Sequence, residues 1–118
     1  MNTKSEMNNE ITFNIIAENW LKERKNTLSK HSFYVYKSEV DKYILPYLGK
    51  LNISEMEKYN YNEFIDTHYK KINIKFSRDI VTKLKSILYY AEDYYDLNFK
   101  TRKISLPKLN KRSRTNEK

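Results

Sequence analysis

The sequence predicts an all-α fold, a four-helix bundle with an extended basic C-terminal tail. Apolar residues recur at three- and four-residue steps along four stretches. Helix breakers are almost absent, with one glycine and two prolines in 118 residues. No segment reads as a strand apart from the short KISL run at 103–106. This length makes one domain, and a hydrophobic content of 39% leaves a modest core built largely from aromatic residues.

Residues 1–10 are polar, and 1–11 are expected to be a disordered N-terminus. Thr12 is a candidate cap for the first helix, whose face is Phe13, Ile16, Ala17, Trp20 and Leu21 and whose end falls near Lys25. A second helix starts at Ser29 or Lys30. Phe33, Tyr36, Val40, Tyr43, Ile44 and Tyr47 fall within roughly ±60° of one direction at ~100° per residue. Its end is the stretch YILPYLGK, where Pro46 pushes Leu45 out of helical geometry and Gly49 is free to adopt positive φ, while Leu48 tucks onto the core. NISEMEK reads as a turn into a third helix from Asn60 to Lys70 with Tyr61, Phe64, Ile65 and Tyr69 as its contacts. The fourth helix takes Ser77 as cap and Asp79 in its first turn, with Ile80, Leu84, Ile87, Leu88, Ala91 and Tyr95 as the buried stripe. After Leu97 the pattern stops, and residues 98–118 read as extended. The expected division is therefore 12–97 as the bundle and 98–118 as a linker.

Charge is placed unevenly. The chain carries 23 basic and 15 acidic residues, net +8. Eight of the basic residues and one acidic residue lie in 98–118, which leaves the bundle close to neutral. Lysine, asparagine, isoleucine and tyrosine are all abundant, as an AT-rich genome would produce, so basicity by itself says little about a polyanion partner. With no cysteine there is neither disulfide nor thiolate chemistry. His31 and His68 are too far apart in sequence to suggest a metal site, one glycine cannot build a phosphate-cradling loop, and no cofactor is expected. Apolar runs are too short to cross a bilayer and no signal peptide is present, which reads as a soluble cytoplasmic protein with no membrane partner.

Two helical faces carry functional chemistry. On the fourth helix, Arg78, Thr82, Lys85 and Tyr89 lie about 140° to 200° from Ile80, with Ser86 beside them. Lys75, Arg78, Lys83 and Lys85 occupy its front, and Glu92, Asp93 and Asp96 its back, an order opposed to the helix dipole. On the second helix, His31, Tyr34, Ser38 and Lys42 lie opposite Val40, with Lys30, Ser32 and Lys37 near its start. Guanidinium, ammonium, hydroxyl and phenol groups all donate to phosphate or to base edges. An ordinary solvated surface would contain the same groups, so each face taken alone is open to both readings.

The ordered set of motifs is more specific. TFNIIAENWL, KHSFYVYKSEVDKYILPYLGKLNISEM and KFSRDIVTKLKSILYYAEDYYDL, over about residues 12–108, resemble the core-binding domain of phage-type integrases, the tyrosine recombinases. The resemblance rests on Trp20, Ser32, the Ile44-Leu45-Pro46-Tyr47-Leu48-Gly49 turn, Lys85-Ser86-Ile87-Leu88 and Ala91. It implies a SAM-like domain whose second and fourth helices face double-stranded DNA, with a separate catalytic domain of the same parent chain closing from the other side. It also implies that the basic tail, Arg102 and Lys103 included, is a linker following the duplex. The family's H-x-x-R arrangement is missing: the residues three places after the histidines are Tyr34 and Lys71. The chain is accordingly expected to be a non-catalytic fragment, monomeric when isolated. Two rival readings remain, a helical protein-interaction module and a small stand-alone DNA-binding regulator.

Overall fold

The computed structural model describes residues 11–70 and 72–107; the expectations for 1–10 and for 108–118 lie outside the described residues. Helix α1 spans Phe13–Lys25 and buries Phe13, Ile16, Ala17, Trp20 and Leu21, the predicted face. Thr12 occupies the cap position, but its side chain makes no cap bond. The free amides at this end are met from elsewhere in the chain. Phe13 N donates to Leu51 O and Asn14 N to Gly49 O, both at 2.9 Å, and Thr12 bridges Asn52.

Helix α2, Lys30–Glu39, is capped by Ser29, whose hydroxyl accepts from Ser32 N at 3.1 Å. It does not stop at the proline. It runs on through a π turn at Val40–Ile44 into α3, Leu45–Leu48, with Pro46 in the first turn of α3. The widened turn accommodates a ring that would otherwise press on the preceding turn, and a first-turn proline loses no bond that the helix needs. Leu45, expected outside helical geometry, has φ −64° and ψ −34°. The carbonyl of Tyr43, inside the distorted turn, accepts from the Tyr69 hydroxyl at 2.8 Å.

Gly49 is needed for space and not for an unusual backbone. Its φ is −56°, an ordinary helical value. A Cβ there would lie 2.5 Å from Asn14 Oδ1 and 2.7 Å from Leu45 O, closer than side chains tolerate. Leu48 is fully buried, as expected.

The remaining elements are α4 at Ile53–Lys58, α5 at Tyr61–Tyr69 and α6 at Ile74–Tyr95. Helix α4 replaces the expected turn, because Asn52 and Glu55 form a reciprocal capping box and Ile53 and Met56 bury their side chains. In α5, Asn60 caps through Glu63 N at 3.0 Å, and Tyr61, Phe64, Ile65 and Tyr69 are buried. Helix α6 begins three residues before the expected cap. Asn73 Oδ1 accepts from the amides of Lys75 and Phe76, while Ser77 is buried inside the helix and donates to Ile74 O. Its buried stripe is the predicted one, Ile80, Leu84, Ile87, Leu88 and Ala91, with Val81 added; Tyr95 is half-buried and its hydroxyl accepts from Asn19.

After α6 the chain turns at Asp96, in the left-handed region at φ 57°, and comes back. Leu97, Phe99, Thr101 and Ile104 are buried, and a short 3₁₀ turn spans Thr101–Lys103. The expectation of an extended segment from 98 onward is corrected for residues 98–107: they fold onto the bundle, because these apolar side chains have a face to cover. No strand is present among the described residues, KISL included.

Replacing Gly49 by alanine should cost about 1–3 kcal/mol by overpacking, read from urea denaturation. Adding Asn14→Ala should recover part of the loss, with the Leu45 carbonyl keeping the rest. An unchanged midpoint for Gly49→Ala would show that the close approach is not constraining.

Alkaline stability should also be distinctive. Burial is the first cause that raises the Tyr61 and Tyr69 phenols well above the ordinary 10.0, with neighbouring tyrosines and, for Tyr61, Glu57 adding to it. Each donates to a backbone carbonyl, Met56 O and Tyr43 O. The folded state therefore keeps protons that the unfolded chain releases above about pH 10, so stability holds below that pH and declines as pH rises beyond it. Tyr61→Phe should lower stability near neutrality and flatten the alkaline decline, measured by denaturation between pH 8 and pH 11.

Candidate nucleic-acid interface

The last turn of α2 and the π turn that follows it pack against α6, which runs antiparallel to them. Tyr43 meets Phe76 edge to face with ring centroids 5.1 Å apart, and further along Lys83 Nζ lies 2.7 Å from Glu39 Oε1. Lys83 also sits 4.6 Å from the centre of the Tyr36 ring. The Lys83 and Glu39 side chains are only 13% and 16% exposed, so this pair is a seam inside the protein and not a surface ornament. The two atoms are at ion-pair distance without the angles of an aligned hydrogen bond, and charge attraction carries the contact.

This seam sorts the residues of both helices. With Glu39 and Lys83 facing each other and ~100° per residue, Val40, Ile80, Leu84 and Ile87 fall on the core side. His31 and Ser38 of α2, Lys42 of the π turn, and Lys75, Thr82 and Ser86 of α6 fall on the solvent side. Lys30, His31, Tyr34, Lys42, Lys75, Thr82 and Tyr89 are exposed, and Ser32, Ser38 and Ser86 are half-buried beside them. The two faces read separately from the sequence thus meet where Ser38 and Lys42 flank the side of α6 that carries Lys75, Thr82 and Ser86. Arg102 and Lys103, both exposed, line a groove with Tyr89 and Glu92 at its edge.

Other predicted residues are placed differently. Lys83 is taken up by Glu39 and Tyr36. Lys37 reaches Asp41 at 2.7 Å and lines the groove between α1 and α2, away from the seam. Arg78 and Lys85, expected to stand free on α6, are half-buried and donate to the returning chain. Arg78 Nη1 bonds the Pro107 carbonyl, and Lys85 Nζ bonds Ile104 O at 2.7 Å. The Thr82 hydroxyl donates to Arg78 O of its own helix at 2.8 Å. Three contributors escape the sequence reading: Glu39, Tyr36 and Glu92. The signal for Glu92 lay in the apolar spacing of Leu97, Phe99 and Ile104, which marks a segment that must pack on something.

Among the described residues no cluster of three or more histidine, aspartate or glutamate side chains could hold a metal ion, and no helix is long and apolar enough to cross a membrane.

Residues 12–69 match the family model of the phage integrase N-terminal SAM-like domain, which bears out the resemblance over α1 to α5. Helix α6 lies beyond the matched residues. No curated protein and no solved structure matches the chain.

Because the Glu39–Lys83 pair is shielded from water, removing one partner leaves the other charge poorly solvated. Glu39→Gln or Lys83→Met should each cost about 1–3 kcal/mol, and the double substitution less than the sum. Additive losses in denaturation would show that the pair does not act as a unit.

Proposed function

Because residues 12–69 match the family model of the phage integrase N-terminal SAM-like domain, we propose that the solvent side of the seam with α6 grips double-stranded DNA. In this reading the domain holds a recombination site as a monomer, while strand exchange belongs to a catalytic domain of the same parent chain. The observation that carries it is the seam itself: one ion pair joins the two polar helical faces where they meet, with the core on its other side. Lys42, Lys75, Arg102 and Lys103 supply ammonium and guanidinium groups for phosphates, while Lys30 shares the face of Lys37, turned from the seam. His31, Ser32, Tyr34, Ser38, Thr82, Ser86 and Tyr89 supply polar contacts to sugar, phosphate or base edges. Nothing in this set performs phosphoryl transfer, because a tyrosine attacking phosphate needs clustered cations to stabilise the developing charge.

Tyr34 and Tyr94, 68% and 66% exposed, support the competing reading of a protein partner, since tyrosine is favoured at interfaces. A duplex titration at two salt concentrations separates the two. Engagement of about four phosphates gives a slope of log affinity against log salt near −3.6, and Lys42→Ala with Lys75→Ala should make it shallower by about 1.8 for every sequence tested. Salt-independent binding, or no binding at low salt, would sink the DNA reading and leave the tyrosine surface as the better account.

A further inference from the structure

Building on the DNA-binding reading above, we infer that residues 97–107 are an autoinhibitory strap, which keeps Arg78 and Lys85 out of the interface until a duplex displaces it. The segment runs antiparallel to α6 and is fastened at three levels. Glu92 Oε2 accepts from Phe99 N at 2.9 Å, Thr101 N at 3.2 Å and the Thr101 hydroxyl at 2.8 Å. Lys85 then bonds Ile104 O, and Arg78 bonds Pro107 O. Successive anchors on α6 are seven residues apart, a rise of about 10.5 Å. Three extended residues, the spacing from Ile104 to Pro107, reach about 10 Å. The strap therefore keeps step with the helix. From α5, Asn62 donates to Lys103 O at 3.2 Å and accepts from Ser105 N at 2.9 Å.

The chemistry of these bonds makes them displaceable. Arg78 and Lys85 donate to neutral peptide carbonyls, whereas a phosphate oxygen carries charge and forms the stronger bond with the same donors. The two cations lie on the α6 face that continues around from Thr82 and Tyr89 toward the strap. Lifting residues 104–107 would free both while withdrawing Ile104 from the core and Leu106 from against it. The Glu92 anchor nearer α6 would meanwhile keep Arg102 and Lys103 beside Tyr89. Opening costs the burial of Ile104 and three side chain–backbone bonds, so a bound duplex shifts the equilibrium only through its preference for the open form.

Since the chain has no cysteine, Asn62→Cys with Ser105→Cys introduces a single possible intramolecular disulfide that locks the strap. The oxidised form should bind duplex about tenfold more weakly than the reduced form, with a salt slope shallower by about 1.8 for the two withheld cations. Adding Arg78→Ala and Lys85→Ala should abolish that redox difference. Equal affinity and slope in both redox forms, with the disulfide verified by mass, would overturn the strap while leaving the DNA reading intact; no binding by either form at low salt would overturn both. In the unaltered chain, the Ser105 amide should exchange faster once duplex is added, and unchanged protection would also count against the strap.

Discussion

Phe13 and Asn14, at the start of α1, give their amide hydrogens to Leu51 and Gly49, just beyond the end of α3. This closure decides how the first half of the domain is arranged. A helix N-terminus has unmet donors, and here the chain's own later turn supplies the acceptors, at a net gain of about 0.5–1.5 kcal/mol for each bond. The closure demands that backbone approach backbone at residue 49, where even a methyl group would collide with Asn14. It also demands that α2 and α3 form one long rod, so that residues 49–51 arrive at the far end of α1. The π turn serves that end: it lets the rod pass through Pro46 without breaking, and Tyr69 from α5 takes up the Tyr43 carbonyl within it.

Once the rod is fixed against α1, its other flank is available to α6. Trp20 stacks on Tyr36 with centroids 5.9 Å apart, and Tyr36 in turn lies under Lys83, so α1, α2 and α6 meet through a continuous line of rings ending in the Glu39–Lys83 pair. A mostly buried ion pair adds less to stability than its distance suggests, because both charges lose water. Its contribution is to register: Lys83 has one carboxylate to meet, and meeting it sets the rotation of α6 about its axis. That rotation determines which residues of α6 share a surface with Lys42.

The helical stripes of α1 and α6 are legible in the sequence because burial on one face imposes a 3.6-residue period, and that requirement is local. The end of α2 is not legible in the same way. Pro46 and Gly49 have strong local preferences for ending a helix, and only Gly49 does so. A π turn carries the rod past Pro46, and the rod ends at Leu48 with Gly49 as C-cap, where the closeness of Asn14 and not a positive φ calls for glycine. Helix α4 is hidden for the opposite reason. Its six residues are too few for a period to emerge, and only the Asn52–Glu55 capping pair marks it. For the candidate site, residue type and helical face are readable, but availability is not. Whether Lys83 is free depends on Glu39, 44 positions earlier, and whether Arg78 and Lys85 are free depends on a segment with no helical pattern of its own.

The charge order along α6 illustrates how far that dependence goes. Cations at the front of a helix and anions at its back oppose the dipole, which invites a functional explanation. The structure supplies a folding explanation for most of it. Lys83 is matched by Glu39, Arg78 and Lys85 by carbonyls of the returning chain, and Glu92 by two amides and a hydroxyl of that chain. Because the returning segment is antiparallel to α6 and leads off with amides near Glu92, its first contacts call for an anion at the back of the helix and its later carbonyls call for cations at the front. The adverse dipole interaction, about 0.3–1 kcal/mol per charge at an exposed helix end, is offset by partners that bond each charge directly. Three of the four front cations, Arg78, Lys83 and Lys85, are matched within the fold, so the charge order is no argument for a nucleic-acid surface. What supports that surface is narrower: the seam that sets Ser38 and Lys42 beside the side of α6 carrying Lys75, Thr82 and Ser86.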